Sequence, residues 1–351
     1  MSFSTEKRES IKRYMLEKIR LDDEQYIMKT AENFQISVTS VKRYINDCLA
    51  DGIIEICNES ASGYRMITNE YEFTYSMEDS LWEDKIYYTD IFPLLTQASP
   101  EAQSIWGYCF MEMMNNAIEH ANATKIHCHV KRDYLYTEVS ILDDGIGIFK
   151  NIQNHLQKEY GQQLDYQDAI LELHKGKFTT NPTAHSGEGI FFTSKMMREF
   201  VILSDGAFFS TGCMERDKLV QSHLLAYFTK INRIGTMLVM KLENQTTRKP
   251  KEVFDMYAPI EEGFVKTYIP LKEVCPYGEP IARSQARRVV YRLEEFRQVE
   301  FDFTGIDFMG QGFADEVFRV FQNKHPEIQL IPLNANESVL GMIKHVRQNL
   351  K

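Results

Sequence analysis

At 351 residues and 41.0 kDa the chain exceeds one ordinary domain of roughly 100–200 residues, so two or three domains are expected. A composition of 43% hydrophobic and 26% charged residues, with 10 prolines and 18 glycines, excludes collagen-like and wholly disordered chains. The 50 acidic against 40 basic side chains give a formal charge of −10, which excludes a surface that coats nucleic acid or anionic membrane as a whole but not a local basic patch.

No stretch approaches the roughly 20 apolar residues of a membrane-spanning helix, and the N-terminus MSFSTEKRESIKRYMLEKIR is charged where a signal peptide would be apolar, so a cytoplasmic protein without a membrane partner is expected. Cys48, Cys57, Cys109, Cys128, Cys213 and Cys275 lack CxxC spacing and are expected to be reduced thiols. In IHCHV, His127 and His129 alternate onto one strand face with Cys128 on the other, and no further ligand cluster accompanies them, so they are not expected to bind a metal.

Residues 1–67 begin with Ile11, Met15 and Ile19 at helical spacing, and a second short helix fits QYIMKTAENF. Ser37 stands where an N-cap would before VTSVKRYINDCLADG, whose Val41, Ile45, Cys48 and Leu49 form one stripe and whose Gly52 ends the helix. IIEICNESASGYRMIT then reads as two strands joined by a polar turn. Helix, helix, capped helix, hairpin is the order of a winged helix-turn-helix, and ISVTSVKRYINDCLADGII resembles its recognition helix and wing entry. On that reading Thr39, Ser40, Lys42, Arg43 and Asn46 lie away from the buried stripe, where they could reach DNA. A protein-interaction or dimerisation module of the same fold is the alternative. The segment carries ten Lys/Arg and eleven Asp/Glu, nearly neutral within an acidic chain.

In residues 68–243, YCFMEMMNNAIEHANATKIHCHV reads as an amphipathic helix leading into a strand, and DYLYTEVSILDDGIGI as a strand entering a glycine-rich turn. FVILSDGAFFS and RIGTMLVMKL supply further strands, and the polar stretch at about 150–186 is expected to be an irregular functional lid. Glu112 and Asn116 stand one helical turn apart, so Asn116 can offer an oxygen to Mg²⁺ and Glu112 can act as a base or orient a water. Asp143 ends a strand and is followed by Gly145 and Gly147, an arrangement suited to hydrogen bonding with an exocyclic purine amine while the backbone turns closely around a ligand. Gly187 and Gly189 precede a helix whose free N–H groups suit a phosphate chain.

Together and in this order, these features resemble the GHKL ATP-binding fold shared by DNA gyrase, heat-shock chaperones, histidine kinases and MutL. The asparagine box would run from Glu112 through Asn116 to His120, the first glycine motif from Asp143 to Gly147, and the second from Ser186 to Ile190. Gly235-Thr236 looks like the pair that begins the family's last strand. The resemblance implies an α/β sandwich, Mg²⁺·ATP held by Asn116, adenine recognised by Asp143, and a lid before Gly187 that closes on the phosphates. The spelling Glu-x-x-x-Asn-Ala-Ile-x-His is closest to the anti-sigma-factor serine kinases. Glu119 departs from the lysine or arginine common there in histidine kinases, and no helix ahead of the domain carries a phosphoacceptor histidine in the usual setting.

Residues 244–275 read as a linker, and 276–351 alternate as helix ARSQARRVVYRLEEF, strand VEFDFTGIDF, helix GQGFADEVFRVFQNK, strand IQLIPLN and helix ESVLGMIKHVRQNL. FDFTGIDFMGQGFADEVF resembles the STAS fold of anti-sigma antagonists and, more closely, a STAS-like domain of uncharacterised function found beside GHKL domains. Where phosphorylatable relatives carry a serine pair this chain has Met309-Gly310-Gln311-Gly312, which disfavours a self-contained kinase and substrate, although Thr304 lies nearby.

The expected architecture is therefore α+β and multidomain: winged helix-turn-helix, GHKL α/β sandwich, small α/β STAS-like domain. The expected function is ATP-dependent regulation of DNA binding, with a protein partner on the STAS-like domain and a homodimer as one possible assembly. A serine/threonine kinase with Glu112 acting on the acceptor hydroxyl, and an ATP-driven dimerising ATPase clamp, are the alternatives.

Overall fold

The computed structural model describes residues 3–78, 80–160, 165–178, 187–212, 235–275 and 279–348. Cys213, Ser186 and the part of the expected lid at 161–164 and 179–186 lie outside them.

The N-terminal head has its own core. Helix α1 (Thr5–Arg20) is capped by Ser4, whose Oγ accepts the N–H of Lys7 at 3.2 Å, and buries Ile11, Met15, Leu16 and Ile19. Helix α2 (Tyr26–Phe34) packs against both α1 and α3 (Val38–Ala50). Ser37 caps α3 by accepting the Ser40 N–H at 3.1 Å, and Gly52, at φ +65°, follows its C-terminal end. The buried stripe of α3 is Val41, Tyr44, Ile45 and Cys48; Leu49 is half-buried and packs against the same core. Strands β1 (Ile54–Ile56) and β2 (Tyr64–Met66) pair antiparallel, Glu55 opposite Arg65.

The central domain is built on a six-stranded antiparallel sheet. Its strands are β3 (Asn69–Ser76), β4 (Lys125–Arg132), β5 (Tyr136–Asp143), β6 (Glu199–Ser204), β7 (Ala207–Gly212) and β8 (Thr236–Glu243), in the order β3-β4-β5-β8-β6-β7. A short helical run precedes the sheet's main helix: α4 (Glu83–Ile86) continues through wider and tighter turns to Leu95. Helix α5 (Pro100–His120) starts on a Ser99 cap with proline in its first turn and buries Trp106, Phe110 and Met114. His127 and His129 are occupied by neighbours on β3, through Thr74 Oγ1 at 2.9 Å and Glu70 Oε2 at 3.3 Å, while Cys128 is buried on the other face.

Two stretches differ from the sequence expectation. The described part of the expected lid is helical: α6 (Ile148–Tyr160) buries Ile152 and Leu156, and α7 (Tyr166–Lys175) starts on a reciprocal Asp165–Asp168 cap and buries Ile170 and Leu173. Helix α8 (Gly189–Met196) then leads into β6. The expected linker is part of the fold. It holds helix α9 (Pro250–Tyr257), strand β9 (Lys266–Pro270) and the turn α10 (Leu271–Val274). Thr267 and Ile269 on β9 are fully buried, and the strand pairs in parallel with β10 (Gln298–Asp302), which pairs on its other side with β11 (Gln329–Leu333). Burying those side chains and completing the ladder is what fixes a stretch whose prolines and short runs read as loop.

Helix α11 (Arg283–Val290), a helical run beginning with α12 (Gln311–Asp315) and continuing through Glu316–Phe321 to Lys324, and α13 (Glu337–Gln348) complete the C-terminal unit. The long helix expected to run to Phe296 ends at Val290, because Arg292 adopts a left-handed conformation at φ 58°. One continuous apolar core runs from the helices of the central sheet into this unit, whereas the head's core is separate and reaches the central domain through Leu135 and Tyr136.

Among the described residues no helix is long and apolar enough to cross a membrane.

Candidate functional site

Helix α8 lies against α5, and between them and the sheet opens a cavity of about 350 Å³, within the usual size range for small-molecule sites. Glu112, Asn116 and His120 face it from α5, Asp143 from the end of β5, Gly147 from the following turn, Gly187 and Gly189 from the entry to α8, and Thr236 from the start of β8. Gly145 stands behind Asp143 rather than in the wall. A Cβ there would come within 2.0 Å of the Ala121 carbonyl oxygen, so only glycine permits this approach.

Asp143 is 4% exposed. Its Oδ1 accepts the N–H of Gly145 at 2.9 Å and of Thr236 at 3.2 Å, and these bonds favour the charged form. Burial is the larger effect and pushes the carboxyl up to about 6. Gly235 is required beside it, since a Cβ at that position would stand 2.2 Å from the same Oδ1. Thr236 Oγ1 accepts the N–H of Ile148 at 3.0 Å and so ties the first turn of α6 to the sheet. Gly147, at φ +87°, presses on Asp205, which in turn accepts the Lys150 N–H at 3.1 Å.

Across the cavity, a Cβ on Gly189 would meet Glu112 Oε2 at 2.2 Å, so the carboxylate sits directly on the start of α8. Glu188 at the N-cap makes no side-chain capping bond, which leaves the helix's first N–H groups without that acceptor. Burial raises the Glu188 carboxyl, and the charge of Lys177 opposes the rise. Among the described residues the wall carries three carboxyls, those of Glu112, Asp143 and Glu188, and no lysine or arginine. No group of three or more His, Cys, Asp or Glu side chains suited to a metal is present among them either.

The remaining wall is apolar: Ile141, Ile202 and Leu238 from the sheet, Met113 from α5, and Leu173 and Phe178 from α7 and its exit. Asn151 on α6 adds a polar group. Sequence motifs missed these residues because the apolar periodicity of strand and helix, the one local signal they carry, does not distinguish a cavity wall from the rest of the core. The cavity can therefore accept a flat ring bearing an amino group at Asp143 and anionic groups near the N-terminus of α8, provided a cation accompanies them.

The DNA-contact candidates cluster on one face of the head. Thr39, Lys42, Arg43 and Asn46 are exposed on α3, and Ser40 is half-buried with its hydroxyl 3.0 Å from that of Ser37. The head docks through α1: Tyr136 hydrogen-bonds Glu17, Tyr134 Oη donates to Glu9 at 3.1 Å, and Arg13 approaches Glu243 at 3.6 Å.

Residues 285–340 match the family model of a STAS-like domain of unknown function (DUF4325), which coincides with the parallel-sheet unit from α11 into α13. No curated protein matches the chain significantly. The C-terminal unit of this multidomain α/β chain is thus similar to a STAS-like domain.

Proposed function

We propose that the chain is a nucleotide-dependent regulator: a GHKL-type central domain binds Mg²⁺·ATP, and its occupancy alters DNA binding by an N-terminal winged helix-turn-helix. The observation that carries this reading is the convergence of Glu112, Asn116, Asp143, Gly147, Gly187, Gly189 and Thr236, drawn from three separate sequence motifs and one strand start, on one cavity. Asp143 would accept the exocyclic amine of adenine, with its Oδ1 already engaged by two backbone donors. The phosphates would lie toward α8. Three carboxyls in the described wall repel a bare triphosphate, which favours the magnesium complex, with Asn116 offering one oxygen and phosphate oxygens and water the rest. Magnesium supplies charge neutralisation there.

The route to the head is short and built of strands. β5 begins at Tyr136, bonded to Glu17 of α1, and ends at Asp143; β8 begins at Thr236 and ends at Glu243, which pairs with Arg13 of α1 and, at 2.6 Å, with Arg198. A ligand shifts the head only through different affinity for its two arrangements. The test is the affinity of the full chain for duplex DNA, enriched from a random pool on the protein itself, with and without Mg²⁺·ATP. A change of severalfold or more supports the reading, and equal affinities reject the coupling.

A second reading, phosphoryl transfer to water or to a protein hydroxyl, draws on the placement of Glu112 against Gly189. There the carboxylate could take a proton from the attacking hydroxyl or water. Following radiolabelled ATP to free phosphate, phosphoprotein or neither separates this reading from simple occupancy. The STAS-like domain would serve as the surface for a protein partner.

A further inference from the structure

The wall of the cavity nearest the C-terminal unit is held by that unit. Leu173 and Phe178 line the cavity, and between them the chain passes through Lys175, Gly176 and Lys177. Lys175 is 1% exposed and donates to three acceptors, matching its three protons: Glu172 Oε1 at 2.7 Å, and the carbonyls of Arg288 at 3.2 Å and Tyr291 at 2.7 Å. Lys177 donates to the Glu295 carbonyl at 2.7 Å. Gly176, at φ +77°, runs so close to Phe264 that a Cβ would stand 2.8 Å from its ring, and Phe264 also packs on Phe191 of α8 and Phe296 beyond α11.

Arg292 closes this set. Its Nη1 donates to Glu172 Oε2 at 3.2 Å, its Nη2 to the Lys177 carbonyl at 3.3 Å, and its guanidinium lies 5.8 Å from the centre of the Phe178 ring. The Phe178 backbone in turn abuts Gly187, where a Cβ would fall 2.4 Å from the Phe178 oxygen. A large side chain at φ 58° is unfavourable, and glycine would adopt that backbone freely. Arginine is nonetheless the residue present, at the point where one side chain reaches α7, its exit and the cavity wall together.

We infer that Arg292 is a positioning residue of the cavity: the STAS-like unit, through Arg292 and the carbonyls that receive Lys175 and Lys177, sets the placement of Phe178 and Gly187 and thereby the affinity for nucleotide. The inference rests on the nucleotide reading above and adds the partner-facing domain as the regulator of that site. By linkage, what changes nucleotide affinity from the C-terminal unit must feel nucleotide in return. A protein bound to that unit would therefore tune ATP binding without touching the cavity.

The experiment uses the full chain, with Arg292→Gly, which relieves the backbone while removing the side chain, and Arg292→Lys, which keeps a cation without the forked geometry. Calorimetric titration with Mg²⁺·ATP is expected to show affinity at least tenfold weaker for Arg292→Gly and intermediate for Arg292→Lys. Hydrogen exchange at 291–296 is expected to slow when nucleotide binds the wild type and not when it binds Arg292→Gly at saturation, a readout that a merely structural role would not move. Wild-type affinity in Arg292→Gly, or exchange at 291–296 indifferent to nucleotide in the wild type, overturns the inference while leaving the nucleotide site standing. A wild-type chain that binds no nucleotide overturns both.

Discussion

Glu112 and Gly189 meet across the cavity so closely that a single added methyl on residue 189 would stand 2.2 Å from the Glu112 carboxylate. The clash is with the end of a side chain, which can swing aside, so Gly189→Ala should change stability by less than about 1 kcal/mol. It should displace the carboxylate from the helix start. Gly189→Ala and Glu112→Ala are then expected to share one phenotype: Mg²⁺·ATP bound within about tenfold of wild type, and phosphate release or transfer reduced at least about a hundredfold, the usual lower bound for a missing general base. Parallel titration calorimetry and phosphate assays check this.

Asp143 gives a pH signature. Burial holds its carboxyl near 6 against the ordinary 3.8, so the folded chain binds that proton more tightly than the unfolded one. Its contribution to stability is therefore complete below about 3.8 and is lost as pH rises through about 6. Ligand affinity runs the other way: Oδ1 is engaged by the Gly145 and Thr236 N–H groups, so a proton on Oδ2 turns the oxygen left for an amine hydrogen from a charged acceptor into a hydroxyl. Affinity for ATP is expected to fall as pH is lowered through about 6 and to be level above it, and Asp143→Asn should remove the step. Titrations on both sides of that pH at one ionic strength measure it.

Glu172 is 4% exposed and receives both Lys175 and Arg292. Glu172→Gln leaves two cations without their buried anion, which typically costs about 3–5 kcal/mol. Urea unfolding monitored by tryptophan fluorescence should show a lower midpoint. A control at the exposed Glu337 should leave it unchanged.

Lys42 and Arg43 project from α3 into solvent. Replacing either by alanine should leave unfolding unchanged and weaken DNA retention. The slope of log affinity against log salt should fall by about 1 for each phosphate that the variant no longer neutralises. Unaltered retention in the double variant would remove α3 from the DNA-binding surface.

Much of the fold was legible where signals are local. Ser37 before an apolar stripe marked α3, a strand pattern running into a glycine-rich turn marked β5 up to Asp143, and Gly187-Glu188-Gly189 marked the entry to α8. The stretch at 244–275 was not legible because β9 has five residues and is fixed by parallel pairing with β10, about thirty residues onward, a partner no local pattern reveals. The helices within the expected lid were hidden by their polar faces, although Ile152 and Leu156, and Ile170 and Leu173, stand at helical spacing. Much of the cavity wall was likewise unmarked: the motif residues announce themselves by type and spacing, whereas Leu173 and Phe178 join the wall from a segment whose contacts include Arg292, more than a hundred residues away.

The most direct measurement is calorimetric titration of Mg²⁺·ATP into the wild-type chain and into Asn116→Ala, with circular dichroism to establish that both are folded. Saturable one-site binding by the wild type that is weakened at least tenfold in Asn116→Ala, or lost to the wild type when magnesium is chelated, is the predicted result. No saturable binding by the folded wild type, or equal affinity in the two proteins with and without magnesium, would contradict the account.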